Sequence, residues 1–137
     1  SHLGFSQVQD PVQWNFYLKK IDEKTFEVHL SATIEKGWHI YSVTTPDGGP
    51  VPTTITFSKN PLVEMQSGIK EVGKLEQKFE PLFGVKVKQY SNKVDFVKVV
   101  KKKGAVKTAV KGSVEFMVCN DVECLPPKSV NFTIAIN

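Results

Sequence analysis

Residues Phe26 to Glu35 read FEVHLSATIE, with Phe26, Val28, Leu30, Ala32 and Ile34 alternating against Glu27, His29, Ser31, Thr33 and Glu35. A period of two held over ten residues sends one face to a core and the other to water, the pattern of a half-buried β-strand. Working outward, Trp14, Phe16 and Leu18 share one parity before it. Val106, Val110, Val114, Phe116 and Val118 share another after it, as do Val130, Phe132, Ile134 and Ile136 near the end. At least four strands are predicted. Turn signals separate them: Ile21 to Lys24, the Thr45 to Pro52 segment with Pro46, Gly48, Gly49 and Pro50, then Asn60-Pro61, Ser91-Asn92 and Lys103-Gly104. No stretch repeats at the helical period, and Lys70 to Glu80 has room for a turn or two of helix at most. Short strands between turns, without crossover helices, imply antiparallel sheets folded as a β-sandwich. The reading is one all-β domain over residues 1–137, with its ordered core at about 12–136 and no repeats or linkers.

Composition agrees. A chain of 137 residues, 40% hydrophobic and 23% charged, has the profile of a globular domain, not of a disordered, collagenous or disulfide-dense one. Uncharged stretches such as Gly48 to Ser58 fall well short of the roughly 20 apolar residues that a spanning helix needs, so no direct membrane insertion is expected. The net charge of +4 rests on 18 bases that are all lysine. Planar bidentate recognition of phosphates and base edges is arginine chemistry, so nucleic acid is not an expected partner. The one run of three, Lys101 to Lys103 before Gly104, reads as a solvated turn. The chain opens on Ser1 rather than methionine, as a trimmed sequence would.

The chemistry then falls to few residues. Cys119 and Cys124 flank Asn120-Asp121-Val122-Glu123, and the second runs into Leu125-Pro126-Pro127. Strand patterning stops at Val118 and resumes about Ser129, which puts both thiols at the mouth of a hairpin. Facing residues there have Cα atoms about 4.5–5.5 Å apart, within reach of a disulfide. Closing so short a loop removes little unfolded-chain entropy, about 2 kcal/mol for six residues against about 4.7 for a hundred. A tight local pair can open and close without unfolding the domain, as a redox relay requires; a static staple is the other reading of the same spacing. Zinc wants four ligands, and His2, His29 and His39 show no C-x-x-C or H-x3-H grouping, so no metal site and no cofactor are expected. Neither a thioredoxin-type C-x-x-C nor G-x-S-x-G, a phosphate-cradling glycine loop or H-E-x-x-H occurs.

The segment Cys119-Asn-Asp-Val-Glu-Cys124-Leu-Pro126-Pro127, between an alternating strand and a final one, resembles the cysteine motif of the N-terminal periplasmic domain of DsbD, the transmembrane thiol:disulfide interchange protein. Gly37-Trp38-His39-Ile40-Tyr41 is similar to that family's Gly-aromatic-aromatic-aliphatic-Tyr segment, and Glu80-Pro81-Leu82-Phe83-Gly84 to its acidic-aromatic-Gly cap loop. Order and spacing agree from about Val12 to Ile136, although the cysteine loop is one residue shorter than in the best-known members. The resemblance implies an immunoglobulin-like sandwich in the periplasm, with any signal peptide removed. It would take electrons from the membrane-embedded domain of a DsbD-like protein and pass them to oxidised thioredoxin-fold clients, among them disulfide isomerase and cytochrome c maturation proteins. Carried over by position, Cys124 is the attacking thiol and Cys119 its resolving partner.

Pro126 and Pro127 fix φ and remove two backbone donors, which stiffens the turn and discourages pairing with another strand. Asp121 and Glu123 would raise a thiolate's pKa, and no helix N-terminus lowers it, so docking rather than thiol activation is expected to supply specificity. Trp38 and Tyr41 sit where a buried strand places aromatics; one of them lines the cysteine pocket or both simply pack, with Tyr41 the better candidate for its hydroxyl. His39, of opposite parity to Trp38, is expected to face solvent. Phe79 and Phe83, in a loop bounded by Gly and Pro, are candidates for a lid over the disulfide, and of the cap-loop side chains Phe83 is the first choice to shield it and Leu82 the second. Two other readings stand beside the relay: a protein- or glycan-binding sandwich with a structural bridge, and a zinc or copper carrier on Cys119, Cys124 and His39.

Overall fold

The computed structural model describes residues 9–137. His2 and the start at Ser1 lie outside the described residues. The strands are β1 (Val12–Lys20), β2 (Thr25–Ile34), β3 (His39–Tyr41), β4 (Thr54–Phe57), β5 (Val63–Met65), β6 (Lys70–Gly73), β7 (Glu76–Glu80), β8 (Val85–Ser91), β9 (Lys93–Lys102), β10 (Thr108–Phe116), β11 (Val118–Cys119) and β12 (Lys128–Ile136). All pairings are antiparallel, in sheets ordered β1-β2-β9-β5, with β6 also on β9, then β12-β10-β4 and β11-β3-β8-β7. The architecture is the immunoglobulin-like antiparallel β-sandwich, and the FEVHLSATIE segment is the strand β2 at its centre.

That strand is flanked on both sides, by β1 and β9, so Val28, Leu30 and Ala32 are buried deep in the main core. The β1–β2 turn is closed by Asp22, whose carboxylate accepts the backbone N–H groups of Lys24 (2.9 Å) and Thr25 (2.7 Å). Opposite, β10 and β12 contribute Val110, Phe116, Phe132 and Ile134. Aromatic rings bridge the two layers: Trp14 meets Phe116 at 5.4 Å and Phe16 meets Phe132 at 5.2 Å between centroids. The gap at residue 112 in the Val110–Val114 alternation is needed. A Cβ on Gly112 would lie 2.2 Å from the Thr56 carbonyl and 2.7 Å from the Phe132 ring.

Three local expectations are corrected. Lys70 to Glu80 forms no helix but two strands, because β9 and β8 offer backbone partners that outweigh a weak local preference. Val106 lies before β10 and is exposed, so its parity with Val110 is accidental. Lys101 and Lys102 close β9, and only Lys103 belongs to the turn. One switch positions the site: β10 ends at Phe116 in the β12-β10-β4 sheet, and two residues later β11 pairs with β3 in another. The chain thus delivers Cys119 to a different sheet from the strand that precedes it.

Candidate functional site

Cys119 and Cys124 are joined by a disulfide with Cα atoms 4.0 Å apart. They face one another as an antiparallel bridge. Leu125 N–H donates to the Val118 carbonyl and Asn120 N–H to the Glu123 carbonyl, each at 2.9 Å. The cysteines therefore occupy the non-hydrogen-bonded pair between two rungs, the position at which antiparallel strands come closest. Asn120 also locks the tip, its Oδ1 accepting from Val122 N at 2.9 Å and Glu123 N at 2.8 Å. Val122, 81% exposed, stands at the apex, and Pro126 and Pro127 are exposed between Cys124 and β12. A groove of about 550 Å³ borders this exit, lined by Phe116, Val118, Leu125, Pro126 and Lys128 among others.

The two sulfurs differ in surroundings. Cys119 is wholly buried, whereas Cys124 is half-buried. Around them lies a small apolar cluster apart from the main core: Tyr41 and Val87 with Phe83, Val85 and Met117. Phe83 comes from the turn joining β7 to β8, where Phe83 N and Gly84 N donate to the Glu80 carbonyl at 3.1 and 2.8 Å and Gly84 takes φ +70°. Of the expected site residues, the structure thus brings Tyr41 and Phe83 to the cysteines. Trp38 packs in the main core instead; Leu82 is exposed in the turn, and Phe79 is exposed on β7, not in a loop. Val85 and Val87 were legible as an alternating pair in β8; Met117 carried no such signal.

His39 is buried, contrary to the expectation that it faces solvent. Alternation marks an exposed face only where that face is open to water. Here β3 runs between β11 and β8 in one sheet, Trp38 and Ile40 pack into the main core, and on the other face Val87 and Phe83 pack with Tyr41 and Cys119 while Glu80 reaches His39. His39 Nε2 lies 3.5 Å from Oε2 of Glu80, itself 2% exposed, and its ring meets that of Tyr41 edge-on at 5.5 Å. Burial pushes the His39 imidazole below its ordinary value, against an opposing pull from the Glu80 carboxylate. Burial, then the Glu80 charge, pushes the Tyr41 phenol far up. Three polar atoms of this patch, His39 Nε2, Tyr41 Oη and Gln89 Oε1, are buried without a hydrogen-bond partner. Below it, the Glu71 carboxylate accepts from Ser42 Oγ, Val43 N and Tyr90 Oη, fastening the end of β3 to β6. Among the described residues, no group of three or more His, Cys, Asp or Glu is placed to hold a metal ion.

The comparisons with known proteins agree with this arrangement. The sequence model of a family described as thiol:disulfide interchange protein DsbD, N-terminal, matches residues 7–135. Among curated proteins, no sequence match was found. The fold is similar to that of the Neisseria meningitidis DsbD N-terminal domain in the reduced form, with a TM-score of 0.57 and 18% identity over 90% of this chain and 86% of that one. It is similar to the N-terminal periplasmic domain of ScsB from Proteus mirabilis, with a TM-score of 0.62 and 16% identity; 97% of this chain is covered but only 49% of that chain, about half its length. It also matches a chain in the complex between the DsbD N-terminal and PilB N-terminal domains of Neisseria meningitidis, with a TM-score of 0.55 and 17% identity over 88% of this chain and 80% of that one. At such identities the structural likeness speaks for the fold, while the sequence match speaks for descent. With that match running over nearly the whole of its length, the chain belongs to the family of DsbD N-terminal domains.

Proposed function

We infer that this domain carries out thiol–disulfide exchange in the periplasm through Cys119 and Cys124. One observation carries the reading: a disulfide set at the end of a tight hairpin, with Cys119 buried and Cys124 only half-buried. Exchange needs a sulfur that a partner can reach and a neighbour close enough to displace the partner afterwards. Cys124, half-open and followed by the exposed Pro126 and Pro127, is the thiol that joins the partner. Cys119, at the back of the pair, resolves the mixed disulfide.

In the reduced domain, the Cys124 thiolate attacks a client disulfide, forming a Cys124–client bond and expelling one client sulfur as a thiolate. Cys119 then attacks the Cys124 sulfur, the Cys119–Cys124 bond forms, and the second client sulfur leaves with the electron pair. Two electrons have moved to the client, and the domain is recharged by a dithiol of a membrane-embedded partner domain. Phe83 shields the pair between encounters, with the exposed Leu82 beside it in the same turn and Tyr41 as the floor, while Phe79, paired with Lys86, lies on the other face of the sheet and takes no part. Family membership and the complex between DsbD and PilB N-terminal domains support a thioredoxin-fold protein as the client class.

Trapping tests this. Cys119→Ala leaves Cys124 unable to be released, so a mixed disulfide with an oxidised periplasmic protein should accumulate and be identified by mass. Capture by Cys124→Ala but not by Cys119→Ala would reverse the two roles. Failure of both to capture an oxidised thioredoxin-fold protein would refute exchange.

A further inference from the structure

The cysteine hairpin rests on a buried acid and a buried imidazole that the sulfur chemistry above does not use. His39 and Glu80 are 4% and 2% exposed, in a domain with ample lysine and water at its surface to hold such groups more cheaply. Their nearest atoms, Nε2 and Oε2, stand 3.5 Å apart, and Nε2 has no hydrogen-bond partner. The Glu80 carboxylate is held from its other side by the Leu82 N–H, which reaches Oε1 at 3.3 Å. A buried imidazole that meets its neighbouring carboxylate only at 3.5 Å, short of a well-formed hydrogen bond, is a liability that an apolar residue at position 39 would remove, so packing alone does not account for it.

The position of this imidazole relative to the sulfurs is specific. His39 is the cross-strand Cα partner of Cys119 in the β3–β11 pair. Directly opposed residues on antiparallel strands carry their side chains on one face, with Cβ atoms about 4.5–5.5 Å apart. Tyr41, two residues along β3, confirms the shared face: its ring meets His39 and packs with Cys119. The imidazole thus borders the buried cysteine, with Glu80 behind it.

We propose that His39 is the general base for the resolving step, taking the proton of the Cys119 thiol as that sulfur attacks Cys124, and that Glu80 is a positioning residue that steadies the imidazolium. This rests on the exchange reading given above. The Cys119 S–H bond breaks, its proton passes to the imidazole, and the sulfur's electron pair forms the Cys119–Cys124 bond. The Cys124–client bond breaks, and its electron pair leaves on the client sulfur; the imidazolium afterwards returns its proton to solvent. A buried Cys119 has no bulk water beside it to accept that proton, which is why a resident base is useful there. Burial keeps the imidazole neutral, in the form that accepts a proton, while Glu80 and Lys78 from β7 and Asp121 from the hairpin set its charge environment, Glu80 and Asp121 favouring the protonated form and Lys78 opposing it.

The test uses the reduced domain and the aromatic disulfide dithionitrobenzoate. The first coloured thiolate released reports formation of the mixed disulfide, and the second reports its resolution by the other cysteine. In His39→Gln the ratio of the second rate to the first should fall about a hundredfold, and the part of the pH profile that rises below the ordinary histidine range should vanish. In Glu80→Gln that rise should move to lower pH, because the carboxylate that raises the imidazole's affinity for protons is gone. An unchanged ratio and profile in His39→Gln, or an unshifted rise in a folded Glu80→Gln should His39→Gln not fold, overturns the assignment. A wild-type domain that releases only the first thiolate overturns the exchange reading, and this one with it.

Discussion

Reducing the disulfide should loosen this domain only slightly. The bridge spans a sequence separation of 5, a closed loop of six residues with both cysteines counted. The loop-closure relation gives an entropy of about −7.4 cal/mol/K for such a loop, or about 2.2 kcal/mol at 25 °C. The rest of the fold does not depend on it. The main core is built from Val28, Leu30, Phe96, Val110 and Phe132 on β2, β9, β10 and β12, and the hairpin keeps its two rungs and the Asn120 turn when the sulfurs part. Urea titrations of the oxidised domain and of the domain in excess dithiothreitol should show both folded, with the reduced form weaker by about 2 kcal/mol at an almost unchanged m-value. With an unfolding entropy near 2.1 cal/mol/K per residue, the melting temperature should fall by about 7 °C. The same linkage makes the folded pair harder to reduce than the pair in the unfolded chain by about 50 mV, which glutathione equilibration with and without urea would measure. A stability loss above about 4 kcal/mol, or loss of near-ultraviolet circular dichroism on reduction, would refute the argument. The bridge would then be a staple, and a domain that unfolds at every turnover makes a poor relay.

Further outcomes follow from single side chains. Gly112→Ala places a methyl group against the Thr56 carbonyl and the Phe132 ring and should cost about 2–3 kcal/mol or more, whereas Gly104→Ala, with nothing within 4 Å, should stay within about 0.5 kcal/mol in the same urea assay. Tyr41→Phe removes a buried hydroxyl that has no partner and should be neutral or stabilising by about 1 kcal/mol; a melting temperature several degrees lower would mean that the hydroxyl is paired. Because burial lowers the His39 pKa in the folded state, the unfolded chain binds the extra proton as pH falls through 6.5. Stability should therefore be present above that pH and decline below it, with a slope from this group of at most about 1.4 kcal/mol per pH unit. His39→Gln should flatten that decline in denaturation series between neutral and mildly acidic pH; an equally steep decline in the variant would assign it to other groups.

What could be read before folding was whatever is encoded locally. A period of two is a property of one strand, so Phe26 to Ile34 announced β2, and the parity of Val110 to Val118 and of Val130 to Ile136 announced the strands on either side of the cysteines. The hairpin was legible too, since the break in alternation between Val118 and Ser129 brackets Cys119 and Cys124. Neither β6 nor β7 was visible, because their residues gain strand form only from the pairing offered by β9 and β8. The surroundings of the sulfurs belong wholly to the tertiary structure. Burial of a strand's second face depends on the side chains that distant parts of the chain bring to it, and here β8 and β7, some forty residues away, join the sheet beside β3. That pairing brings Phe83 and not Phe79 to Cys119, and it turns His39, solvent-facing by parity, into a buried neighbour of Glu80.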